Sequence, residues 1–401
     1  MHVLMLVYKY FPDRIGGAER QCRKLADMLV QRGIRVTVVT GTSNSNLSCL
    51  EVDRGVTIVR VPLLSNARSS CEKTRSQEIT TNKTKQKANK YGILSVWAAS
   101  LLRGGDILRF MYGAWRVTKA LEVDVIHAHT TTWLAGFAAW LGKRMQVPVI
   151  CKETTMPAFP KTPPLVPFRR YWERVRMNNW YIAQHVYAAR SIAAFGIPRE
   201  RIFVIPNGVE FPQDVSVADA PKNIVFIGNM SQGVKDKGVD TLLTSWALLK
   251  SHIPSARLLF AGADDEGIFR RMAIEAGCFD GIEILGYVRD ISNVLEKAAV
   301  VVIPSRREGM SNVMLEALSY GVPIVATNIP GNTAVLDQTN AGILVAQDDA
   351  NAMCEAMRQL LSDERMRKAM RVQARMLIHD YYEIGVVADS LIEVYNRIVD
   401  C

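Results

Sequence analysis

The stretch VLMLVYKYFPDRIGGAERQCRKLADMLVQRGIRVTVVT, Val3 to Thr40, decides how the rest of the chain is read. Val3 to Tyr8 is an unbroken apolar run, the pattern of a strand buried on both faces of a parallel sheet. A loop holding Gly16 and Gly17 follows, then Ala18 to Arg32 with Cys22, Leu25, Ala26 and Leu29 at helical spacing. Gly33 sits where a left-handed residue ends a helix, and Val36 to Thr40 is the next strand. Together these make a β-α-β unit.

The unit recurs. Strand patterns at Val125 to His129 and Pro148 to Cys151 continue the first half, and those at Ile224 to Gly228, Leu258 to Gly262, Val300 to Pro304 and Pro323 to Thr327 build the second. Helical stretches alternate with them, notably Val239 to Lys250, Asn312 to Tyr320, Ala350 to Leu361 and Glu364 to His379. The expected fold is α/β, two tandem Rossmann-like doubly wound domains, and 401 residues suffice for two such cores. The break is placed at Gly208, where the sequence turns to a loop of Pro, Asp and Ser. Ligands of such sheets bind beyond the C-terminal ends of the strands, so chemistry is sought there.

The chain carries 49 Lys and Arg against 39 Asp and Glu, a net charge of +10, with 22% charged and 49% hydrophobic residues. That is a globular composition, too long for one small stapled module. Residues 1 to 208 hold 31 basic and 13 acidic side chains, hence +18, and the remainder 18 and 26, hence −8. A basic half points to an anionic partner, whether nucleic acid, phospholipid or a phosphorylated substrate; attraction between the two halves is the alternative. The seven cysteines include no C-x-x-C pair, so neither a zinc site nor a disulfide framework is indicated, and a reducing cytosol fits. The N-terminus lacks the basic region and cleavage site of a signal peptide. The longest near-apolar run, Tyr91 to Leu102, meets Arg103 well short of the roughly 20 residues a spanning helix needs. The expected protein is soluble, or lies on a membrane without crossing it.

Two segments break the alternation. Arg68 to Lys90 has seven basic and two acidic residues with almost no large apolar ones, the composition of a mobile basic loop. Lys161 to Tyr181 interleaves Arg169, Arg170, Arg174 and Arg176 with Phe168, Tyr171, Trp172, Trp180 and Tyr181. Basic and aromatic residues together suit an anionic membrane interface, and a nucleic acid fits the same composition. Tyr91 to Leu121, with Trp97, Trp115, Arg103, Arg109 and Arg116, tips the reading towards the membrane; a core helix with a solvated basic face is the plain alternative there.

The strongest local signal is Glu308-Gly309-Met310-Ser311-Asn312-Val313-Met314-Leu315-Glu316, directly after the Val300 to Ser305 strand. The first carboxylate lies in a strand-to-helix loop and the second inside the helix. Backbone N–H groups at the helix start, Ser311 to Val313, suit a phosphate. Glu316 shares a face with Asn312 at i,i+4, placed to accept hydrogen bonds from vicinal hydroxyls such as those of a ribose. Glu308, on the crevice rim, can hold a sugar hydroxyl.

This E-x7-E segment runs into A-L-S-Y-G-V-P-I-V-A-T. With V-I-P-N-G-V-E at 204 to 210, G-G-A-E-R at 16 to 20 and D-V-I-H-A-H at 124 to 129, it resembles family-four glycosyltransferases of GT-B fold, retaining and metal-independent enzymes that use nucleotide sugars. The resemblance covers nearly the whole chain and is weakest from about 66 to 122 and 155 to 180. It implies a nucleotide-sugar site in the interdomain cleft, with residues 1–208 plus 380–401 as the acceptor-side domain and 209–379 as the donor domain. A final helix, Glu383 to Val399, would cross back to the first domain. Glu316 would bind the ribose and Glu308 the donor sugar near the reacting carbon, with Gly309 and Met310 in the same loop. His129 would contact the donor sugar at the active centre, whereas His127, two residues deeper, reads as a core histidine. Gly16 and Gly17 resemble the family's glycine loop, whose amides approach the diphosphate. They are too few, and too far past the strand, for the dinucleotide fingerprint G-x-G-x-x-G, which removes the main support for an NAD-dependent reading.

One position departs from the family. Its usual Arg after the glycine ending the first strand of the second domain is here Asn229, and Lys237, with Lys235 as rival, matches the lysine that neutralises the diphosphate. Arg306 or Arg307 is the candidate compensation. No D-x-D motif is present, and Asp264-Asp265-Glu266 reads as an exposed turn. The resemblance therefore implies retaining transfer from a nucleoside diphosphate sugar, UDP-sugar first, with no cofactor and no metal. The acceptor would be a glycan or lipid-linked hydroxyl, as in lipopolysaccharide or exopolysaccharide assembly, and the basic half with Arg169, Arg170, Trp172, Arg174 and Arg176 would meet an anionic membrane surface, not nucleic acid. A cytoplasmic protein at the inner face of the membrane is expected. A GT-B epimerase or phosphorylase, or a non-catalytic membrane-bound subunit, are the alternatives.

Overall fold

The computed structural model describes residues 1–13, 16–63, 104–154, 159, 166–215, 223–230, 234–264, 267–337 and 339–400. The chain divides into two compact units: unit 1 is Met1–Ala183, Ala189–Val204 and Ser390–Cys401, and unit 2 is Gln184–Ala188 and Ile205–Asp389. The basic stretch Arg68 to Lys90, and Tyr91 to Arg103 with Trp97, lie outside the described residues.

Among the described residues unit 1 holds eight strands, β1 (His2–Lys9), β2 (Arg35–Thr42), β3 (Leu50–Asp53), β4 (Val56–Pro62), β5 (Val125–Ala128), β6 (Val149–Lys152), β7 (Trp180–Ala183) and β8 (Ile202–Val204), in the order β3-β4-β2-β1-β5-β6-β7-β8. Only β3 runs antiparallel, folding onto β4 as a short edge. The opening stretch behaves as its pattern requires. Val3 to Leu6 are fully buried between β2 and β5, and the helix Gly17–Gln31 turns Cys22, Leu25, Ala26 and Leu29 inward. Gly33 takes the left-handed conformation that ends it.

Among the described residues unit 2 holds six parallel strands, β9 (Asn223–Ile227), β10 (Arg257–Ala261), β11 (Ile282–Gly286), β12 (Val300–Ile303), β13 (Ile324–Thr327) and β14 (Gly342–Val345), ordered β11-β10-β9-β12-β13-β14. Successive strand residues point to opposite faces, and two separate cores result. Ile224, Phe226, Leu258, Phe260, Val300 and Val302 pack with Leu242 and Trp246 of the helix Val239–His252 and with Met353 and Met357 of Ala350–Ser362. Val225, Leu259, Val301 and Ile303 pack on the other face with Met314 and Leu318 of Asn312–Ser319 and with Ala374 and Leu377 of Glu364–Leu377. A sheet covered on both faces is the doubly wound arrangement expected for each half.

The helix Glu364–Leu377 ends in a π-helical turn, Ile378–Tyr382. Val209 and Glu383 form a bridge beyond it, Val209 N–H donating to the Tyr382 carbonyl at 2.8 Å. The final helix, Ile384–Val399, begins in unit 2, and from Ser390 it belongs to unit 1.

One segment reads differently in three dimensions. Trp180 and Tyr181, taken with their basic neighbours as an interfacial pair, begin β7, an interior strand between β6 and β8; Tyr181 is fully buried and its hydroxyl donates to the Arg176 carbonyl. Aromatic rings suit a membrane interface and a buried strand equally, and only pairing decides.

Candidate active site

In unit 2 the chemistry-bearing residues gather at the C-terminal end of β12. The loop after it is tied down by Arg306, whose Nε donates to Asp348 Oδ1 at 2.6 Å, Nη2 to Asp240 Oδ2 at 2.7 Å and Nη1 to the Lys235 carbonyl at 2.8 Å. Its backbone N–H donates to the Asp236 carbonyl at 2.7 Å. The hydrogen bond from Arg306 holds the Asp240 carboxyl below its ordinary range. Arg306, a candidate to replace the missing diphosphate arginine, is thus committed to fixing the 3-10 turn Val234–Lys237 beside the loop. Gly238 completes that contact: it is left-handed, and a Cβ there would fall 2.0 Å from the Pro304 carbonyl oxygen.

This turn delivers Lys237. Its Nζ lies 3.1 Å from Glu308 Oε1, with both side chains partly accessible. The rival Lys235 is exposed and contributes its carbonyl to Arg306. Asn229 is exposed after Gly228 at the end of β9. Arg307 is exposed as well.

Glu308 and Gly309 are held from behind. A Cβ on Gly331 would sit 1.7 Å from the Gly309 oxygen, so the helix Pro330–Leu336 approaches that loop at backbone contact. Met310 is buried, and its sulfur receives the Asn207 N–H at 3.4 Å; Asn207 Nδ2 donates to Asn312 Oδ1 at 3.0 Å. Ser311 caps the helix Asn312–Ser319, its hydroxyl accepting Met314 N–H at 3.3 Å. The amides of Asn312 and Val313 lie in the first turn, whose N–H groups a helix cannot satisfy from within. Glu316 is half-buried one turn further along.

Sequence reading missed two contributors. Asn207 lies 105 residues from its partner Asn312, and only the motif V-I-P-N-G-V-E signals it. His185 caps the start of Val186–Ala194, Nδ1 accepting Ala188 N–H at 3.1 Å, and its ring faces the Gly309 carbonyl. Burial lowers its pKa and that carbonyl pulls the other way.

In unit 1, Gly16 caps the helix Gly17–Gln31, and a Cβ on it would fall 2.4 Å from Glu19 Oε2. The Glu19 carboxylate therefore lies against the glycine loop. His127 and His129 share a face at the end of β5, stacked at 4.2 Å and 20°, both buried. Burial, reinforced by the nearby Lys152, pulls His129 down to about 3 and His127 well below its ordinary range. Lys152 is itself buried and lowered to about 8. The imidazoles are thus neutral at pH 7.

The basic aromatic segment splits by helical face. Trp172 and Arg176 turn inward: Trp172 Nε1 donates to the Pro167 carbonyl at 2.8 Å with its ring edge-on to Phe137, and Arg176 Nη1 donates to the Thr131 carbonyl at 3.0 Å with its guanidinium over Phe159. These two are structural, which corrects their assignment to a membrane or acceptor surface. Arg170 and Arg174 are exposed with Phe168 and Tyr171, and Arg169 is half-buried. The pairs 170/174 and 172/176 are each i,i+4 and lie on opposite sides of one short helix, Arg169–Val175 and the turn after it.

Asp264 Oδ1 accepts the Phe269 N–H at 3.0 Å at the start of the helix Ile268–Glu275, whose N-cap is Gly267. Among the described residues no group of three or more His, Cys, Asp or Glu could hold a metal ion, no cysteine is paired, and no helix is long and apolar enough to cross a membrane. A cavity of about 800 Å³ opens in unit 1 beside Arg35, Trp115, Asp124 and Arg144, at the N-terminal edge of the sheet, and no candidate site residue lines it.

Two family models match. Residues 15–211 fit "Glycosyltransferase Family 4" and residues 221–363 fit "Glycosyl transferases group 1". An uncharacterized glycosyltransferase of Methanocaldococcus jannaschii is 22% identical over 99% of this chain and 98% of its own length. A phosphatidyl-myo-inositol mannosyltransferase of Mycolicibacterium smegmatis is 30% identical over 48% of this chain and 51% of its own. Among solved structures, Anabaena HepE in complex with UDP and glucose superposes with a TM-score of 0.69 at 15% identity, covering 99% of this chain and 100% of that one.

Proposed function

We propose that this chain, which belongs to the family-four glycosyltransferases of GT-B fold, moves a sugar from a nucleoside diphosphate sugar, UDP-sugar first, to an acceptor hydroxyl with the anomeric configuration retained. The observation that carries the reading is the Lys237–Glu308 pair at the end of β12, with the first turn of Asn312–Ser319 and Glu316 beside it. One cation, one sugar-facing carboxylate, one set of helix-start amides and one ribose-facing carboxylate are what a nucleotide sugar requires. The Anabaena neighbour solved with UDP supports the choice of base.

In the proposed step the bond from the anomeric carbon to the diphosphate oxygen breaks. The acceptor oxygen bonds to that carbon from the same face, and the acceptor proton passes to the leaving phosphate. Charge accumulates on the diphosphate, which Lys237 and the amides of Asn312 and Val313 stabilise. With Asn229 uncharged and Arg306 held by two aspartates, Lys237 carries this task. Glu308 orients the donor sugar and releases Lys237 to the phosphate. No metal enters the step.

The acceptor is proposed to be lipid-linked or a glycan precursor at the cytoplasmic face of the membrane. The exposed Phe168, Arg170, Tyr171 and Arg174 and the +18 of residues 1 to 208 support an anionic surface, and the mannosyltransferase relative supports a lipid substrate.

Thermal shift with UDP, GDP, ADP and CMP in EDTA tests the reading: a rise with one diphosphate is expected, and no response to any nucleotide would sink it. Glu316→Ala is expected to abolish that rise. An unchanged rise removes Glu316 from the site.

A further inference from the structure

The His129 ring raises a question of orientation. Its backbone is fixed, the N–H donating to the Leu6 carbonyl of β1 at 3.0 Å. Its imidazole is buried, and among the described residues its Nε2 has no hydrogen-bond partner. What the ring does have is a parallel neighbour, His127, at 4.2 Å and 20°. His127 in turn is held by a hydrogen bond, Nδ1 to the Tyr395 hydroxyl at 2.6 Å, with the two rings edge-on at 5.8 Å. Tyr395 and His127 are both fully buried, and Tyr395 comes from the last helix, 268 residues away.

These contacts fix the proton positions. Burial raises the Tyr395 phenol well above its ordinary range, so it keeps its proton. Nδ1 of His127 is its one hydrogen-bond partner among the described residues, so the phenol donates and Nδ1 accepts. His127 is neutral, and its hydrogen therefore sits on Nε2.

We infer that Tyr395 is a positioning residue: its hydroxyl fixes the His127 ring, and the stacked His127 ring fixes the plane of His129 at the reacting centre. This rests on the proposed role of His129 towards the donor sugar and adds what sets its orientation. A ring whose Nε2 finds no partner among the described residues is not fixed by that nitrogen, and stacking holds its plane only when the neighbouring ring is itself held.

The test uses the full chain labelled with ¹⁵N at histidine, read by long-range ¹H–¹⁵N correlation at pH 7. The wild type is expected to show His127 as the Nε2–H tautomer, and an Nδ1–H tautomer overturns the inference without any variant. Tyr395→Phe, which removes one oxygen and keeps the ring, is expected to move the nitrogens of both His127 and His129. It is also expected to lower turnover at saturating donor at least tenfold, while affinity for the nucleotide stays within twofold, since neither Tyr395 nor the two histidines are among the proposed nucleotide contacts. A spectral change confined to His127, or turnover unchanged, overturns the inference. A wild type that binds no nucleotide sinks the glycosyltransferase reading instead, and the nitrogen shifts still decide whether Tyr395 orients His129.

Discussion

At the end of β12 the decisive side chains are charged, partly accessible and paired: Lys237 with Glu308, Arg306 with Asp240 and Asp348. At the end of β5 they are buried and uncharged, two imidazoles stacked on each other and anchored by a phenol. Both places are C-terminal strand ends in parallel sheets, yet they hold a side chain in place by opposite means. Near water, a cation and a carboxylate restrain one another and stay free to exchange partners when a charged ligand arrives. In the interior an ionised imidazole would be costly, so the rings remain neutral and shape and hydrogen bonding fix them. The bulk charges of the two halves predict neither arrangement. The acidic half supplies the cation, and the basic half the neutral groups.

The largest effect is expected where exchange of partners is essential. Glu308→Gln keeps the shape of the side chain and removes its charge, so it should lower turnover about 10²- to 10³-fold, roughly 3–4 kcal/mol, comparable to losing one preorganised electrostatic contact. The melting temperature should change little, because the pair is partly solvated and worth about 1 kcal/mol at most. Wild-type turnover in the variant would mean that the end of β12 carries no chemistry, and the contrast with β5 would lose its functional meaning.

The second effect separates the two regions by pH. His129 titrates at about 3 in the folded chain against about 6.5 when unfolded. The unfolded chain therefore binds the extra proton throughout that window, and stability falls as pH drops from 6.5 towards 3. Between pH 6.5 and 4 this amounts to roughly 3 kcal/mol, and His127, shifted the same way, adds to it. Unfolding free energies from urea titrations at those two pH values are expected to fall less in His129→Asn than in the wild type, by about that amount. Parallel curves would show that the imidazoles are not held neutral.

Much of this contrast was open to sequence reading, and the reason lies in range. The β-α-β pattern of Val3 to Thr40 and the strand-loop-helix of Val300 to Glu316 are local, carried by periodicity and by residue types a few positions apart. Each of these positions therefore carries its own signal. The direction of a side chain within a mixed segment is not local: Arg170 and Arg176 have the same composition around them, and only packing against Thr131 and Phe159 turns one inward. Edge strands fade for a related reason. β11 and β14 are mostly half-buried and only four to five residues long: Glu283 interrupts the apolar run of β11, and the Ile343-Leu344-Val345 run of β14 is too short for periodicity to mark it as a strand. The bonds Asn207 to Asn312 and His127 to Tyr395 join residues 105 and 268 positions apart, and no periodicity spans such distances.

The smallest effect tests whether the charged region is as adaptable as the comparison holds. Arg306 uses three nitrogens of one planar fork on Asp348, Asp240 and the Lys235 carbonyl. Lysine keeps the charge but offers a point of contact in place of the fork, so it can satisfy one carboxylate and not all three acceptors. Arg306→Lys should therefore cost only about 1 kcal/mol of stability, the scale of a solvent-exposed network. The turn that carries Lys237 would nevertheless loosen, because the Lys235 carbonyl loses its anchor. Since Lys237 is proposed to meet the diphosphate, the expected outcome is a KM for the donor raised about threefold to tenfold, roughly 1 kcal/mol, with kcat nearly unchanged. A loss confined to kcat would mean that Arg306 itself faces the developing charge, and the site at the end of β12 would then contain the arginine that Asn229 does not supply.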